Sequence, residues 1–142
     1  MIGMNYKTMF FSSKAVTSAV DRATRRVFSR FGAFVRRTAR SSIRKRKKPS
    51  APGQPPSSHK GLLKRFIFFG YDRTKKSVVI GPVRLTGAGR GKAPSLLEYG
   101  GAGTVRVRRR RKRARYKARP FMGPAYEKEE PKLPAMWQGS VN

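Results

Sequence analysis

The first long pattern in the chain is a helical repeat of small and apolar residues. Its members are Val16, Val20, Ala23, Val27, Phe31, Phe34 and Thr38. Their spacing of four, three, four, four, three and four residues is that of one face of an α-helix. We therefore predict a helix over residues 13–46 that buries this face, with Ser12 or Ser13 as its N-cap. Gly32 lies inside it at a cost of about 1 kcal/mol relative to alanine. A close helix contact would explain it, but we prefer to interpret it as a tolerated defect.

After the helix, the pattern changes to short apolar runs separated by proline and glycine. Residues 49–60 are rich in proline and serine, so we predict a loop, either a plain linker or an arm that reaches a neighbouring subunit. Residues 62–69 and 77–81 are predicted strands with a turn between them, and Pro82 ends the second strand or places it at a sheet edge. The glycine-rich residues 86–93 form a flexible loop that lacks the spacing of a phosphate-binding loop.

The last third of the chain combines a hairpin with short helical segments. Residues 94–101 are a short turn or helix that glycine stops, and the alternation that follows predicts a hairpin over residues 104–119. Residues 121–137 form a C-terminal helical segment that Pro131 and Pro134 interrupt. One face of this segment presents Phe121, Met122, Ala125 and Tyr126 for packing.

The order of these elements predicts a single α+β domain over residues 1–142. A long N-terminal helix packs on a small antiparallel sheet, followed by an extended basic hairpin and a short C-terminal helix. Residues 1–12 form an N-terminal arm, and residues 62–119 hold the sheet together with the hairpin. A chain of 142 residues is long enough for one modest hydrophobic core.

The high positive charge of the chain bears on its partner and not on its fold. Lys and Arg number 35 against 6 acids, a net charge of +29 that indicates nucleic acid, an anionic surface or an acidic protein as partner. Arginine dominates the densest run, and its fork suits phosphate and carboxylate geometry. The candidate contact residues in this run are Arg106, Arg108, Arg109, Arg110, Arg111, Lys112, Arg113, Arg115, Lys117 and Arg119. A second basic patch comprises Arg44, Lys45, Arg46, Lys47 and Lys48, which we expect at the end of the long helix, where its dipole favours cations.

Catalytic and metal chemistry find little support in the sequence. The chain has no cysteine, and its single histidine, His59, can form neither a metal cluster nor a catalytic set. The acidic residues 127–130 are interpreted as counter-charge for the arginines. We expect no enzymatic activity, no cofactor and no metal. No apolar run approaches the roughly 20 residues of a membrane span, so we expect no membrane partner.

Three short pieces of sequence resemble a known family. They are Lys60-Gly-Leu-Leu-Lys64, Leu97-Glu-Tyr-Gly-Gly101 and Arg119-Pro-Phe-Met-Gly-Pro-Ala125, in that order after an amphipathic helix and a Pro/Gly linker. Over roughly residues 13–130 the chain resembles the tail-completion, or minor tail component, family of long-tailed bacteriophages. The residues that carry the resemblance are Gly61, Leu62, Leu63, Glu98, Tyr99, Gly100, Arg119, Pro120, Phe121, Pro124 and Ala125. The basic hairpin and the proline-rich linker depart from the family pattern.

The resemblance implies a structural virion protein without enzymatic activity. Members of the family lie in the neck or upper tail and form rings, here with six-fold symmetry favoured, that complete the tail or join it to the head. The partners would be further copies of the chain, other neck and tail proteins and genomic DNA in the channel, with host cytoplasm as the place of assembly. The charge alone fits a ribosomal or nucleoid-type nucleic-acid-binding protein equally well. The Arg- and Ser-rich first 48 residues also keep an organellar import segment open.

Overall fold

The computed structural model of the chain describes residues 12–83 and 93–141. Its longest element is helix α1, Ser13–Ser42, which begins where the Ser12 hydroxyl accepts a hydrogen bond from the Ala15 N–H at 3.4 Å. This is the capping that the sequence predicts. Its buried positions recur mainly every fourth residue; they are Ala23, Val27, Phe31, Gly32, Val35 and Ala39. Most of the N-terminal arm and most of the glycine-rich loop lie outside the described residues.

The predicted helix is right in kind and in the burial of Ala23, Val27 and Phe31, but the rest of its buried face and its end are wrong. Val16 and Val20 are exposed, and beyond Phe31 the buried stripe continues through Val35 and Ala39. Phe34 is only half-buried, because the stripe drifts around the helix toward the elements that pack against it. The helix ends at Ser42 rather than at residue 46. The next residue, Ile43, has an extended backbone, and its buried side chain lies in the core.

The proline-rich loop packs on its own chain. Arg44 forms a parallel bridge with Ser57, and the Arg44 carbonyl accepts a hydrogen bond from the Ser58 N–H at 3.0 Å. Pro56, in the same loop, is among the fully buried side chains. The loop is therefore more than a plain linker, since it closes on the segment that follows α1.

The first predicted strand begins later than its apolar run. Residues Leu62–Arg65 form one helical turn, α2, which Gly61 precedes at a φ of 72°, and strand β1 is Ile67–Asp72. The Phe66 N–H donates to the Leu62 carbonyl at 3.1 Å and closes that turn. Strand β2 is Ser77–Pro82 and pairs with β1 in antiparallel register, with Phe69 opposite Ile80. Pro82 ends this strand, as predicted, in a two-stranded sheet where each strand is an edge.

Gly32 is a contact site and not a tolerated defect, which corrects the prediction. A Cβ built on it would lie 2.8 Å from Val78 Cγ2 and 2.9 Å from Phe69 Cδ2, closer than real Cβ atoms approach such neighbours. The missing side chain therefore lets α1 lie directly on the β1–β2 hairpin.

We expect Gly32→Ala to destabilise the protein by up to roughly 2 kcal/mol. Overpacking costs about 1–3 kcal/mol, and the better helix propensity of alanine returns about 1 kcal/mol of it. Urea unfolding measures the difference, with Arg26→Ala on the exposed side of α1 as control, expected within about 0.5 kcal/mol. A more stable Gly32→Ala protein would mean that propensity outweighs the contact.

The remaining elements follow the predicted order. Helix α3 is Ala93–Tyr99, strands β3 and β4 are Gly101–Val107 and Arg110–Tyr116, and helix α4 is Met122–Glu129. A 3-10 turn, Glu130–Lys132, and helix α5, Leu133–Trp137, complete the described chain. The two prolines therefore divide the C-terminal segment as predicted.

The fold class is α+β, as predicted: a long N-terminal helix, two small antiparallel sheets and a short C-terminal helix. One core cluster joins α1, the start of β1 and α4. Its buried members are Phe31, Val35, Ala39, Ile43, Ile67, Phe121 and Ala125. The β3–β4 hairpin contributes no residue to this cluster.

The basic hairpin and its anchor as candidate functional site

The basic run is itself a strand rather than a loose tip. Strand β4 pairs with β3 in antiparallel register, so the hairpin spans 101–116 and not the predicted 104–119. Each charged residue of β4 except one pairs with an uncharged residue of β3; Arg111 alone pairs with a cation, Arg106. Because like charges directly opposite each other destabilise a sheet, this register limits repulsion inside the hairpin.

The register divides the hairpin into two faces. Residues paired directly opposite each other share a face, and the face alternates along each strand. The α3 face, which packs on helix α3 near its base, comprises Gly101, Gly103, Val105, Val107, Arg110, Lys112, Ala114 and Tyr116. The open face comprises Ala102, Thr104, Arg111, Arg113 and Arg115. Basic side chains therefore leave both faces, and all five of those on β4 are exposed.

The turn of the hairpin is built from two arginines in an unfavourable conformation. Arg108 has a φ of 43° and Arg109 a φ of 66°, and positive values at both positions are the pattern of a type I′ turn. Asn-Gly is favoured there, because other side chains pay about 1–2 kcal/mol per residue in the left-handed region. The sequence therefore keeps positive charge at the tip at the expense of turn stability.

The acidic residues of the C-terminal segment do not neutralise the hairpin, which corrects the prediction. Glu129 is buried; its carboxylate accepts from Thr38 Oγ1 and from Lys132 Nζ, both at 2.7 Å. The hydrogen bond from Lys132 and then that from Thr38 hold the pKa of Glu129 below its ordinary value. Glu130 accepts from the Tyr126 hydroxyl at 3.2 Å. Within the described residues, no side chain of strand β4 forms an ion pair.

The hairpin is anchored through a carboxylate in the helix that precedes it. Glu98 in α3 accepts hydrogen bonds from the N–H groups of Phe121, Met122 and Gly123 at 2.9, 3.0 and 2.7 Å. These are free donors at the start of α4, where the helix dipole also favours a negative charge. Glu98 therefore joins the chain before the hairpin to the chain after it.

Two glycines allow the hairpin to lie close to this anchor. Gly100 has a φ of 72°, and a Cβ there would lie 3.0 Å from both Ala118 N and Tyr116 O, which are backbone atoms. A Cβ on Gly103 would lie 2.7 Å from Leu96 Cδ1. Gly100 belongs to the predicted motif, whereas sequence reasoning missed Gly103, because its neighbour Leu96 becomes known only from the packing of α3 on the hairpin.

Arg119 belongs to the anchor and not to the free contact surface, which corrects its predicted role. Its Nε donates to the Ser50 carbonyl at 2.9 Å, and its backbone N–H donates to the Leu97 carbonyl at 2.6 Å. The Gly53 N–H donates to the Ala118 carbonyl at 2.9 Å. The proline-rich loop thus braces the base of the hairpin, a role that neither sequence interpretation of the loop anticipated.

The second basic patch follows α1 instead of ending it. Arg44, Lys45, Arg46, Lys47 and Lys48 are exposed in an irregular segment, so the predicted stabilisation of the helix end by these cations is wrong. Arg40 is the basic residue in the last turn of α1. The patch ends two residues before Ser50, whose carbonyl holds Arg119.

The motif residues divide into buried and exposed ones. Phe121 and Ala125 are in the core, and Leu63 packs against it. Leu62 and Pro124 are exposed, and Pro120 is half-buried. Tyr99 is 83% exposed, which is unusual for an aromatic residue next to a structural carboxylate.

In the described part of the chain, no group of three or more His, Cys, Asp or Glu residues is placed to hold a metal ion. Of the helices described, none is both long and apolar enough to cross a membrane. Comparisons with protein-family models, with curated proteins and with solved structures found no match for this chain. Its function is therefore argued from its own residues.

Proposed function

We propose that this chain is a structural virion protein of the neck or upper tail of a long-tailed bacteriophage, where its copies form a ring. The ring completes the tail or joins it to the head. The observation that carries the proposal is the hydrogen bonding of Glu98 to the start of α4. It joins two of the motif pieces, 23 residues apart in sequence at Phe121, into one structural unit. Because these two short pieces of sequence form one structural unit, we treat them as a single motif.

A ring requires one surface of each copy to meet a different surface of the next copy, and the outer face of the β1–β2 hairpin is suited to be one of these two surfaces. Phe68 and Val79 on that face are 45% and 65% exposed, and Cβ atoms built on Gly70 and Gly81 beside them would meet nothing within 4 Å. Among the described residues, no further strand pairs with the outer edge of either strand. In a closed ring one such interface repeats by rotation. We assign this face, and exposed Tyr99, to protein contacts in the particle.

The basic hairpin gives the proposed ring a second, chemically different surface. In the neck or upper tail it would meet either genomic DNA in the channel or an acidic face of a neighbouring protein. The proposal includes no enzymatic activity, no cofactor and no membrane. It places the chain in the host cytoplasm during assembly and in the virion afterwards.

The proposal predicts how the protein behaves alone and in the particle. Because the core is small and the net charge is +29, we expect the purified chain to be monomeric or to aggregate, and to form rings only with its neighbours. Imaging of purified particles labelled at the C-terminus should locate it in the neck or upper tail. A monodisperse monomer that never enters particles contradicts the proposal.

A matched pair of variants tests the outer face of the β1–β2 hairpin. Val79→Lys, on the outer face of β2, should fold normally but fail to enter particles. Val141→Lys makes the same change at another exposed site, 52% exposed, and should be incorporated. Equal incorporation of both variants would exclude the β1–β2 face as the ring contact.

A nucleic-acid-binding protein of ribosomal or nucleoid type is the second candidate function. The observation that favours it is strand β4, whose basic side chains are exposed on both faces of the hairpin without acidic partners in the described chain. Sedimentation of cell extracts with and without nuclease distinguishes the two functions. A protein that travels with ribosomes or the nucleoid, and is absent from particles, would establish this second function instead.

A further inference from the structure

We infer that the β3–β4 hairpin enters the major groove of duplex DNA tip first and contacts phosphates on both walls of the groove, without reading base sequence. This inference names the partner of the hairpin, and it rests on the proposed function only for the source of the duplex. The alternative partner, an acidic protein surface, is an outcome of the test.

The distribution of charge is the first reason. Residues 108–113 are six consecutive exposed cations at the distal end of the hairpin. Arg110 and Lys112 lie on the α3 face, Arg111 and Arg113 lie on the open face, and Arg108 and Arg109 form the tip. A flat acidic surface can contact one face at a time and would leave the other cations unpaired. A groove places phosphates on both sides of an inserted ribbon at once.

The dimensions of the hairpin are the second reason. From the pair Thr104–Arg113 to the pair Val107–Arg110 the ribbon rises three residues, or about 10 Å, and the turn lies beyond. The major groove of B-form DNA is about 8.5 Å deep and about 12 Å wide, and it admits a two-stranded β-ribbon. The charged part of the hairpin is thus about as long as the groove is deep. The α3 face of the base, which includes Gly103 and Ala114, is left for contact with α3.

The conformation of the tip is the third reason. Arg108 and Arg109 occupy positive-φ positions that favour Asn-Gly. Unfavourable backbone conformations persist where function requires the side chains that adopt them. Cations at the tip of the hairpin would be the first to meet the phosphates as it enters the groove. Arginine at both positions has no other contact in the described chain that would explain it.

The central experiment removes the two cations on one face of the hairpin at a time. Binding of the full-length protein to a 30-base-pair duplex of mixed sequence is measured by fluorescence anisotropy across a salt series. Six phosphate contacts predict a slope of about −5 in log K against log salt. Arg110→Ser with Lys112→Ser, and separately Arg111→Ser with Arg113→Ser, should each reduce the slope by about 1.8, since each contact contributes about 0.9. Lys45→Ser with Lys47→Ser removes the same charge elsewhere and should leave the slope unchanged.

Several results would overturn the inference. An effect from only one of the two face pairs means a one-sided contact, as with an acidic protein. An equal effect from the Lys45/Lys47 control means attraction by net charge alone. Binding to single-stranded DNA, or to polyglutamate, that is as tight as binding to the duplex means that no groove is recognised. Strong dependence on duplex sequence would contradict phosphate contact.

The groove itself is tested with a blocked duplex. Glucosylated 5-hydroxymethylcytosine places bulky sugars in the major groove, and we expect it to weaken binding by at least about ten-fold, as phosphate contacts on both walls are lost. Unchanged affinity for the glucosylated duplex places the contact outside the major groove and overturns the inference.

One variant separates loss of binding from loss of folding. Arg108→Asn with Arg109→Gly supplies the favoured turn, so the hairpin should be at least as stable, while the slope falls by about 1.8. An unchanged slope in this stable variant contradicts tip-first entry. These experiments use purified protein and synthetic duplex, so a negative result would overturn the groove inference without affecting the proposed function. A negative result in the particle experiments would likewise overturn the proposed function without affecting the groove inference.

Discussion

Phe121→Ala is expected to destabilise the protein by about 3–5 kcal/mol, the range of large-to-small changes at buried phenylalanines. Phe121 is 1% exposed and shares the core cluster with Phe31, Val35 and Ala39 of α1. Alanine would leave a cavity between the C-terminal segment and the long helix. Domains of this size are stable by only about 5–15 kcal/mol, so the variant could lose its native state at physiological temperature.

Urea or thermal unfolding followed by circular dichroism measures this loss. Phe68→Ala removes the same ring from a strand position that is 45% exposed, where the Arg36 guanidinium lies 5.6 Å from the ring centre. It is expected to cost about 1–2 kcal/mol, clearly less than Phe121→Ala. If Phe121→Ala melts at the temperature of the unchanged protein, the residue does not hold α4 on α1, and the assigned core is wrong.

Glu98→Ala is expected to have the second-largest effect, a loss of about 2–3 kcal/mol. The variant leaves three N–H groups of residues 121–123 without their acceptor at a partly buried helix start. Hydrogen bonds to a charged group contribute about 1.5–3 kcal/mol each, but contacts that share one carboxylate are not additive. The loss should also loosen the base of the hairpin, since Glu98 joins its two sides.

Two variants make the measurement specific. Glu98→Gln keeps one acceptor oxygen and should recover part of the stability. The control is Glu127→Gln, an exposed residue of helix α4, which should change the stability by less than about 0.5 kcal/mol. Hydrogen exchange of the amides at residues 121–123 should rise in Glu98→Ala and stay slow in Glu127→Gln. Equal exchange in both variants would show that the carboxylate is not their acceptor.

Much of the fold could be predicted because it depends on patterns among residues that are close in sequence. The repeat of apolar residues predicts α1, the alternation before the basic run predicts a hairpin, and Pro131 and Pro134 predict the breaks near the C-terminus. Each of these signals acts over a few neighbouring residues, where backbone geometry and side-chain size decide the outcome. The charge of the hairpin is also local information, and it is the basis for expecting an anionic partner.

Other features depend on residues that are far apart in sequence. The burial of Gly32 is set by Phe69 and Val78, and the role of Arg119 by the carbonyl of Ser50. The shift of the buried stripe from Phe34 to Val35 depends on how α1 lies against its neighbours, since both residues are apolar and adjacent on the helix.

For the candidate site, the sequence by itself determined the concentration of charge in residues 106–119 and the motif residues that flank it. Only the tertiary structure decided which charges are free for a partner. It holds Arg119 at the Ser50 carbonyl, pairs β4 with a mostly uncharged strand, and sends the remaining cations of β4 to both faces. The physical reason is that charge is a property of each residue, whereas its availability depends on strand register and on contacts across the chain, which no local pattern contains.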